Sequence, residues 1–425
     1  MPGSGLQLDE WLAQLETYSP QEIDLGLERV ELMLHRLKPD LPETVFHIAG
    51  TNGKGSSVAL LEALLRSADR RVGCYTSPHL NRYNERIRVD GCDASDAEII
   101  AAFERVEEQR QGVPLTYFEF GTLAALLVFA DRNVDIAILE VGMGGRLDAV
   151  NAVDPTASLI TNVSLDHCDW LGDNVAAIAR EKAGVMRSGK PVIFADPELP
   201  EAIADEALSR KANLVAATRH YHWTIDGDTW SWQGARNELQ GLAMPNLAGD
   251  IQVQNTAGVL ALLEAAGFTA LFDAQRVNTA LATVTVPGRA QLVADRFILD
   301  VAHNPAAASA LAKTIGGFGQ GRADVAIIGM LDDKDVAGVV ASLAALTGRW
   351  IAITADSPRA IPAADLAQRV RAATGEICEA AESMAAAIDR ANVLAGEQGQ
   401  ILITGSFYTV GAALVILAAP RHEYG

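Results

Sequence analysis

The stretch FHIAGTNGKGSSVALLEALL, residues 46–65, decides the fold class. A short apolar run (46–49) meets a turn holding Gly50, Gly53 and Gly55, and an apolar-periodic helix follows from about Lys54. The general phosphate-loop pattern G-x-x-x-x-G-K-[ST] does not fit, because Gly55 follows Lys54 and Ile48 stands five before Gly53. The context still favours an anion. Unpaired N–H groups and the dipole at a helix N-terminus attract phosphate, and glycines let its oxygens come close. Lys54 is placed to reach a β or γ phosphate, and Ser56 and Ser57 supply hydroxyls. Against a bare turn with a solvated lysine, the combination predicts a nucleotide site at residues 51–56.

The surroundings repeat the strand–helix alternation. Runs at 45–50, 72–77, 135–141, 157–163 and 191–195 read as strands buried on both faces, hence an α/β domain with a mostly parallel sheet. Residues 9–37 read as one or two amphipathic helices. HYHWTIDGDTWSWQGA (220–235) reads as a small hairpin about Asp226-Gly227-Asp228, its tryptophans forming a half-buried face rather than a stacking platform. A helix is expected near 253–266. After Pro287-Gly288 the alternation restarts at 297–302, 325–330, 350–354 and 400–404, so the domain boundary is expected near 286, giving 1–286 and 287–425.

Composition narrows the function classes. The chain has 425 residues, 49% apolar and 21% charged, enough for two globular domains. A net charge of -20 and the lack of a Lys/Arg cluster argue against nucleic acid and anionic membranes. Cys74, Cys92, Cys168 and Cys378 lie far apart without a C-x-x-C pair, so reduced, buried thiols are expected. MPGSGLQLDEWLAQLE has neither the basic nor the apolar region of a signal peptide, and no apolar run is long enough to span a bilayer. A soluble cytoplasmic protein is expected.

Other polar residues gather at strand ends. Glu140 closes a buried strand and precedes Gly142, Gly144 and Gly145. It suits either Mg²⁺ ligation or capping. Asp166, His167 and Asp169 follow the strand at 157–163, where a structural histidine and a ligand are both open. Spacing alone makes Lys182 a solvated helix lysine. In the second domain, Asp300, His303 and Asn304 crowd the turn before Pro305, with Arg289 upstream. They are placed to serve a ligand or merely to cap the helix.

Taken in order, HIAGTNGKGS, YTSPHL, YFEFGTLAA, LEVGMGGRLDA, SLDHCDWLG, REKAGV, PGR, DVAHNP, IGMLDDKD and GSFYTVG resemble the folylpolyglutamate synthases. DLGLERV (24–30) and DVAHNP resemble the bacterial form that is also a dihydrofolate synthase. The likeness runs from about residue 9 to 415. That family belongs with the Mur ligases, which share the compact G-T-[NT]-G-K loop. The resemblance implies a P-loop ATPase-like N-terminal domain and a Rossmann-like C-terminal ligase domain.

It also implies an ATP-dependent amide ligase that activates a carboxylate as an acyl phosphate for attack by L-glutamate. The acid is dihydropteroate or the γ-carboxylate of a reduced folate. By the same resemblance, Thr51, Asn52, Gly53, Lys54, Gly55, Ser56, Asn255, Arg289 and Asp300 bind ATP, the last two from the second domain. Ser77, Glu140 and His167 hold Mg²⁺. Lys182 is carbamylated, and His303 is the histidine beside Asp300. Lys54, His167, Lys182 and His303 are the catalytic set. Asp24, Leu25, Gly26 and Leu27 face the pterin, together with Phe118, Glu119, Phe120, Gly121, Leu147, Asp148 and Ala149. Val150 stands where the family pattern has Thr. A monomer is implied. A Mur ligase proper would need an N-terminal UDP-sugar domain ahead of the first strand. A nucleotide switch would need no substrate pocket and no contribution from Arg289 and Asp300.

Overall fold

A computed structural model describes residues 5–18, 24–317 and 321–418. Residues 1–4, at the start of the stretch read for a signal peptide, and 19–23, inside the expected helical 9–37, lie outside the described residues. The chain divides into two compact units: 1–246 with 253–284, and 247–252 with 285–425.

The first unit carries β1 (Thr44–Ala49), β2 (Val72–Tyr75), β3 (Ile87–Val89), β4 (Cys92–Asp93), β5 (Ile136–Glu140), β6 (Ala157–Ile160), β7 (Pro191–Phe194) and β8 (Asn213–Ala216). They form one sheet in the order β4-β3-β2-β5-β1-β6-β7-β8. All pairs are parallel except β2–β3 and β3–β4. β1 lies centrally, with Ile48 opposite Glu140 of β5 and Ala49 opposite Ile160 of β6. The carboxyl ends of three neighbouring strands therefore meet at the glycine turn, the end where open α/β sheets bind ligands.

Each strand expected in this unit forms and ends one to three residues earlier than expected. β3, β4 and β8 were too short or too polar for the sequence to show.

Helices cover both faces. Trp11, of helix Leu8–Leu15, is fully buried against Phe103 and Phe120, with ring centroids 5.8 and 6.4 Å away. The hairpin is the first part of a three-stranded antiparallel sheet, β9 (His222–Asp226), β10 (Thr229–Gln233) and β11 (Glu238–Ala243). Trp230 and Trp232 are buried, and their indole N–H groups donate to Ala243 O and Ala257 O. Their polar edges are thus spent on structure. All four thiols are free, but Cys92 and Cys168 are exposed, contrary to the expected burial. One sits in the tight β3–β4 ribbon and the other opens a four-residue helix.

The second unit holds β12 (Gln291–Val293), β13 (Phe297–Asp300), β14 (Val325–Ile328), β15 (Arg349–Ala352), β16 (Ile377–Ala380) and β17 (Ile401–Thr404). The sheet order is β12-β13-β17-β14-β15-β16, parallel but for β12. No described helix is long and apolar enough to cross a membrane.

One core residue has a measurable consequence. His47 in β1 is wholly buried, neither ring nitrogen has a hydrogen-bond partner, and burial, aided by Arg187, drives its pKa down to about 3. The folded pKa lies below the unfolded value near 6.5. Between the two, only the unfolded chain takes up the proton, so stability falls as pH falls below about 6.5. His47→Leu removes that penalty. Its stability gain over wild type should grow by about 1.4 kcal/mol per pH unit, adding about 2 kcal/mol at pH 5. Urea unfolding at several pH values reads it, and a pH-independent difference would contradict it.

Candidate functional site

The turn after β1 is fixed by its glycines. Gly50 has φ +141, and a Cβ there would lie 1.8 Å from Thr161 Oγ1. Gly53, at φ +84, precedes helix Lys54–Arg66, and its Cβ would lie 2.8 Å from Asn255 Oδ1. Asn255, remote in sequence, thus sits against the loop, and it is buried. The turn is braced from β6. Asn52 N donates to Asn162 Oδ1 (2.9 Å), Thr161 Oγ1 donates to Asn52 O (2.6 Å), and Ser164 N donates to Thr51 Oγ1 (3.0 Å). No sequence motif singles out Thr161, Asn162 and Ser164. Their signal was hydroxyls and an amide at a strand end beside the glycine turn.

Two ammonium groups converge on one carbonyl. Lys54 Nζ donates to Gly50 O (3.1 Å) and Thr51 O (3.3 Å), and Lys182 Nζ donates to the same Gly50 O (2.9 Å). Lys182 is buried at the end of helix Val175–Lys182, which corrects the solvated lysine expected from spacing. The cause is remote packing. Gly145, whose Cβ would lie 3.0 Å from Lys182 O, lets the glycine-rich loop after β5 close on the helix end. Arg146 N donates to Glu181 O (2.9 Å). Burial first, and then the Lys54 charge, lower the Lys182 pKa to about 7, with Asp166 and Asp148 pulling the other way.

Glu140 is buried, and its Oε2 accepts from Ser77 N (3.3 Å) and lies 3.8 Å from a Cβ built on Gly55. The structure therefore gathers Lys54, Glu140, Ser77, Lys182 and Asn255 around the loop. His167 starts a short helix at φ +51, half-buried. Among the described residues no three His, Cys, Asp or Glu side chains converge to hold a metal by themselves. One buried carboxylate, a serine and a phosphate-type loop suit Mg²⁺, which keeps several waters and shares phosphate oxygens.

A second group lies beside it. Helix Glu28–Leu37 packs on helix Tyr117–Asp131 and on the 3-10 turn Ala149–Ala152, and Arg29, which donates to Asp24, also donates to Glu119. A Cβ on Gly142 would meet Phe118 Cζ at 2.7 Å and Asp148 Oδ2 at 3.2 Å. Asp148 is buried and its pKa rises to about 6. Burial is the cause, against hydrogen bonds from Met143 and Val150 N–H and the Lys54 charge. Val150 is wholly buried. Phe118 faces Tyr75, centroids 5.7 Å apart.

In the second unit Asp300 Oδ2 accepts from Ala290 N (2.7 Å), and its Oδ1 accepts from Ala302 N (2.8 Å). Burial raises its pKa against the pull of Arg289. The Arg289 guanidinium lies 5.5 Å from the Phe407 ring centroid, and the His303 ring lies 6.2 Å from that ring. Asn304 caps helix Pro305–Gly316 by accepting from Ala307 N (2.9 Å), so its side chain has the capping role.

Two family models match this chain: the Mur ligase middle domain at residues 48–263 and the Mur ligase glutamate ligase domain at 288–407. A dihydrofolate synthase/folylpolyglutamate synthase of Escherichia coli is 39% identical, covering 99% of this chain and 98% of its own. An E. coli FolC solved with DHPP and ADP superposes with TM-score 0.93 at 38% identity, covering 99% of this chain and all of that one. A bifunctional folylpolyglutamate synthase/dihydrofolate synthase solved with Mn, AMPPNP and L-glutamate gives 0.90 at 38% identity, covering 98% and 100%.

Proposed function

This chain belongs to the dihydrofolate synthase/folylpolyglutamate synthase family, and we propose from that premise that it joins L-glutamate to dihydropteroate and to the γ-carboxylate of reduced folates, converting ATP to ADP and phosphate. The observation that carries this reading is the convergence of the glycine turn, Lys54, Glu140, Ser77 and Lys182 at the carboxyl ends of β1, β2 and β5.

The loop 51–56 and Lys54 hold the triphosphate through backbone N–H groups and one cation. Asn255 closes the loop's flank. Ser77, Glu140 and His167 are the proposed holders of Mg²⁺, which when bound screens the phosphate charges. Metal and nucleotide in a neighbour's crystal support a divalent cation with ATP. The segments 24–27, 118–121 and 147–149 hold the acid. Its carboxylate oxygen attacks the γ-phosphorus and ADP leaves. The amine of glutamate then attacks the acyl carbon, loses a proton, and phosphate departs with the former carboxylate oxygen. Little covalent work falls to the protein, so its contribution is positioning and charge neutralisation.

We propose that Arg289 and Asp300 of the second unit bind the nucleotide and that His303 beside them belongs to the catalytic set, as the resemblance implies. Arg289→Ala should raise the KM for ATP roughly tenfold, the scale of one charge-assisted phosphate contact. An unchanged KM would remove it. A cytoplasmic monomer is the accompanying proposal, and a dimer mass by light scattering would contradict it.

The test is ADP release by the purified protein with Mg·ATP and L-glutamate, adding dihydropteroate or a reduced folate monoglutamate. Turnover with both acids is expected. Turnover with the folate alone would leave only the chain-extending reaction, and turnover with neither acid would refute the proposal.

A further inference from the structure

Glu119 sits in the segment assigned above to the acid substrate, yet its carboxylate is already committed. It is buried, its Oε2 accepts from Thr116 N (2.7 Å), and Arg29 Nε donates to both oxygens (3.0 and 3.1 Å). The rest of the Arg29 guanidinium turns the other way. Nη1 donates to Asp24 Oδ2 (2.7 Å) and Nη2 to Asp24 O (2.6 Å). The Arg29 side chain is 22% exposed and that of Glu119 4%, so solvent screens their pair little, whereas Asp24 at 42% is open on one side.

We propose that Arg29 is a positioning residue for the acid substrate: it ties residues 24–27 to Glu119 at the head of helix Tyr117–Asp131, and Glu119 acts through this brace rather than by touching the substrate. The inference rests on the function proposed above and refines the part Glu119 plays in it.

The geometry needs arginine. A planar fork grips a carboxylate on one edge and a carboxylate plus a carbonyl on the other, at three fixed angles. A lysine ammonium is a single donor centre on a shorter stem without the planar fork, so it cannot hold both edges of this arrangement at once. The capping box of Thr116 and Glu119 fixes the helix end of the brace. The other end is the four-residue run Asp24-Leu25-Gly26-Leu27 leading into helix Glu28–Leu37. Without the brace, that run has fewer anchors where it meets the acid, while the glycine loop at 50–55 is braced by Thr161, Asn162 and Ser164.

The test compares Arg29→Lys, Glu119→Gln and their combination. Arg29→Lys should raise the KM for dihydropteroate roughly tenfold, the loss of about one charge-assisted contact, with the KM for ATP and for L-glutamate within about twofold. Glu119→Gln should act in the same direction, and the double variant should be no worse than Arg29→Lys, since both cut one linkage. If Glu119 touched the substrate, the two effects would add, which would overturn the proposal.

Amide hydrogen exchange of a peptide spanning 24–28 is read without substrate. It should quicken roughly fivefold or more in Arg29→Lys while the peptide over 54–66 keeps its rate. Wild-type exchange in that variant would also overturn the proposal. Asp24→Asn, which leaves the buried Glu119 pair whole, should quicken the same peptide about threefold, and wild-type exchange there would count equally against the brace. Wild-type protein inactive on both acids would end the ligase reading and leave the exchange result to judge the brace.

Discussion

Lys54→Ala should lower turnover by a factor on the order of 10³ or more while the protein melts within a few degrees of wild type. The Lys54 ammonium is the cation carried on the turn itself, and it binds loop carbonyls, Gly50 O and Thr51 O, rather than any apolar core. Its removal leaves the helix N-terminus and the glycines in place, so a nucleotide still finds N–H donors. What is lost is charge opposite the transferring phosphoryl group, where stabilisation of the transition state counts most. Steady-state ADP release with a thermal melt checks it. A variant with normal turnover would end the phosphate-loop assignment.

Lys182 should behave in the opposite way for stability. Its folded pKa near 7 lies below the ordinary value of 10.5, so between these the unfolded chain binds a proton that the folded chain does not. The folded state therefore pays its full penalty below pH 7 and is relieved as pH rises towards 10.5. Lys182→Met should stabilise the protein at pH 7 by up to roughly 5 kcal/mol, reduced by the lost bond to Gly50 O. We propose that Lys182 carries a carbamate, an amine neutral near pH 7 being the form that adds CO₂, so the same variant should lose turnover by about a hundredfold or more. That addition would yield a carbamate and one proton, placing an anion against the loop where an ammonium donates to Gly50 O. Lys182→Glu should recover part of the activity, because it restores an anion on this helix end although its carboxylate is shorter than a carbamate. A fully active, no more stable Lys182→Met would refute both halves.

These two lysines show what sequence reveals and where it stops. The place of Lys54 on the turn was legible because strand, glycine turn and helix are contiguous. Lys182 was not. Its helix segment VAAIAREK offers a charged C-terminal turn that looks solvated, and it is buried only because a glycine loop 37 residues earlier, at Gly145, closes over it. Glu140, at the end of β5, followed from an apolar strand run, which is local. Brace residues such as Asn162 depend on which strand lies beside β1, a matter of topology. The Arg29–Glu119 pair spans 90 residues, and neither residue's neighbours in sequence hint at the other. Even the tryptophan hairpin, legible as a half-buried face, hid its third strand because Glu238–Ala243 is polar and carries Gly241.

The most direct test of the central claim follows an oxygen. Dihydropteroate labelled with oxygen-18 in its carboxylate is converted with Mg·ATP and L-glutamate, and the released phosphate is weighed. Activation as an acyl phosphate predicts one labelled oxygen in each phosphate formed, with none in ADP. Unlabelled phosphate from a reaction that still forms dihydrofolate would contradict the account.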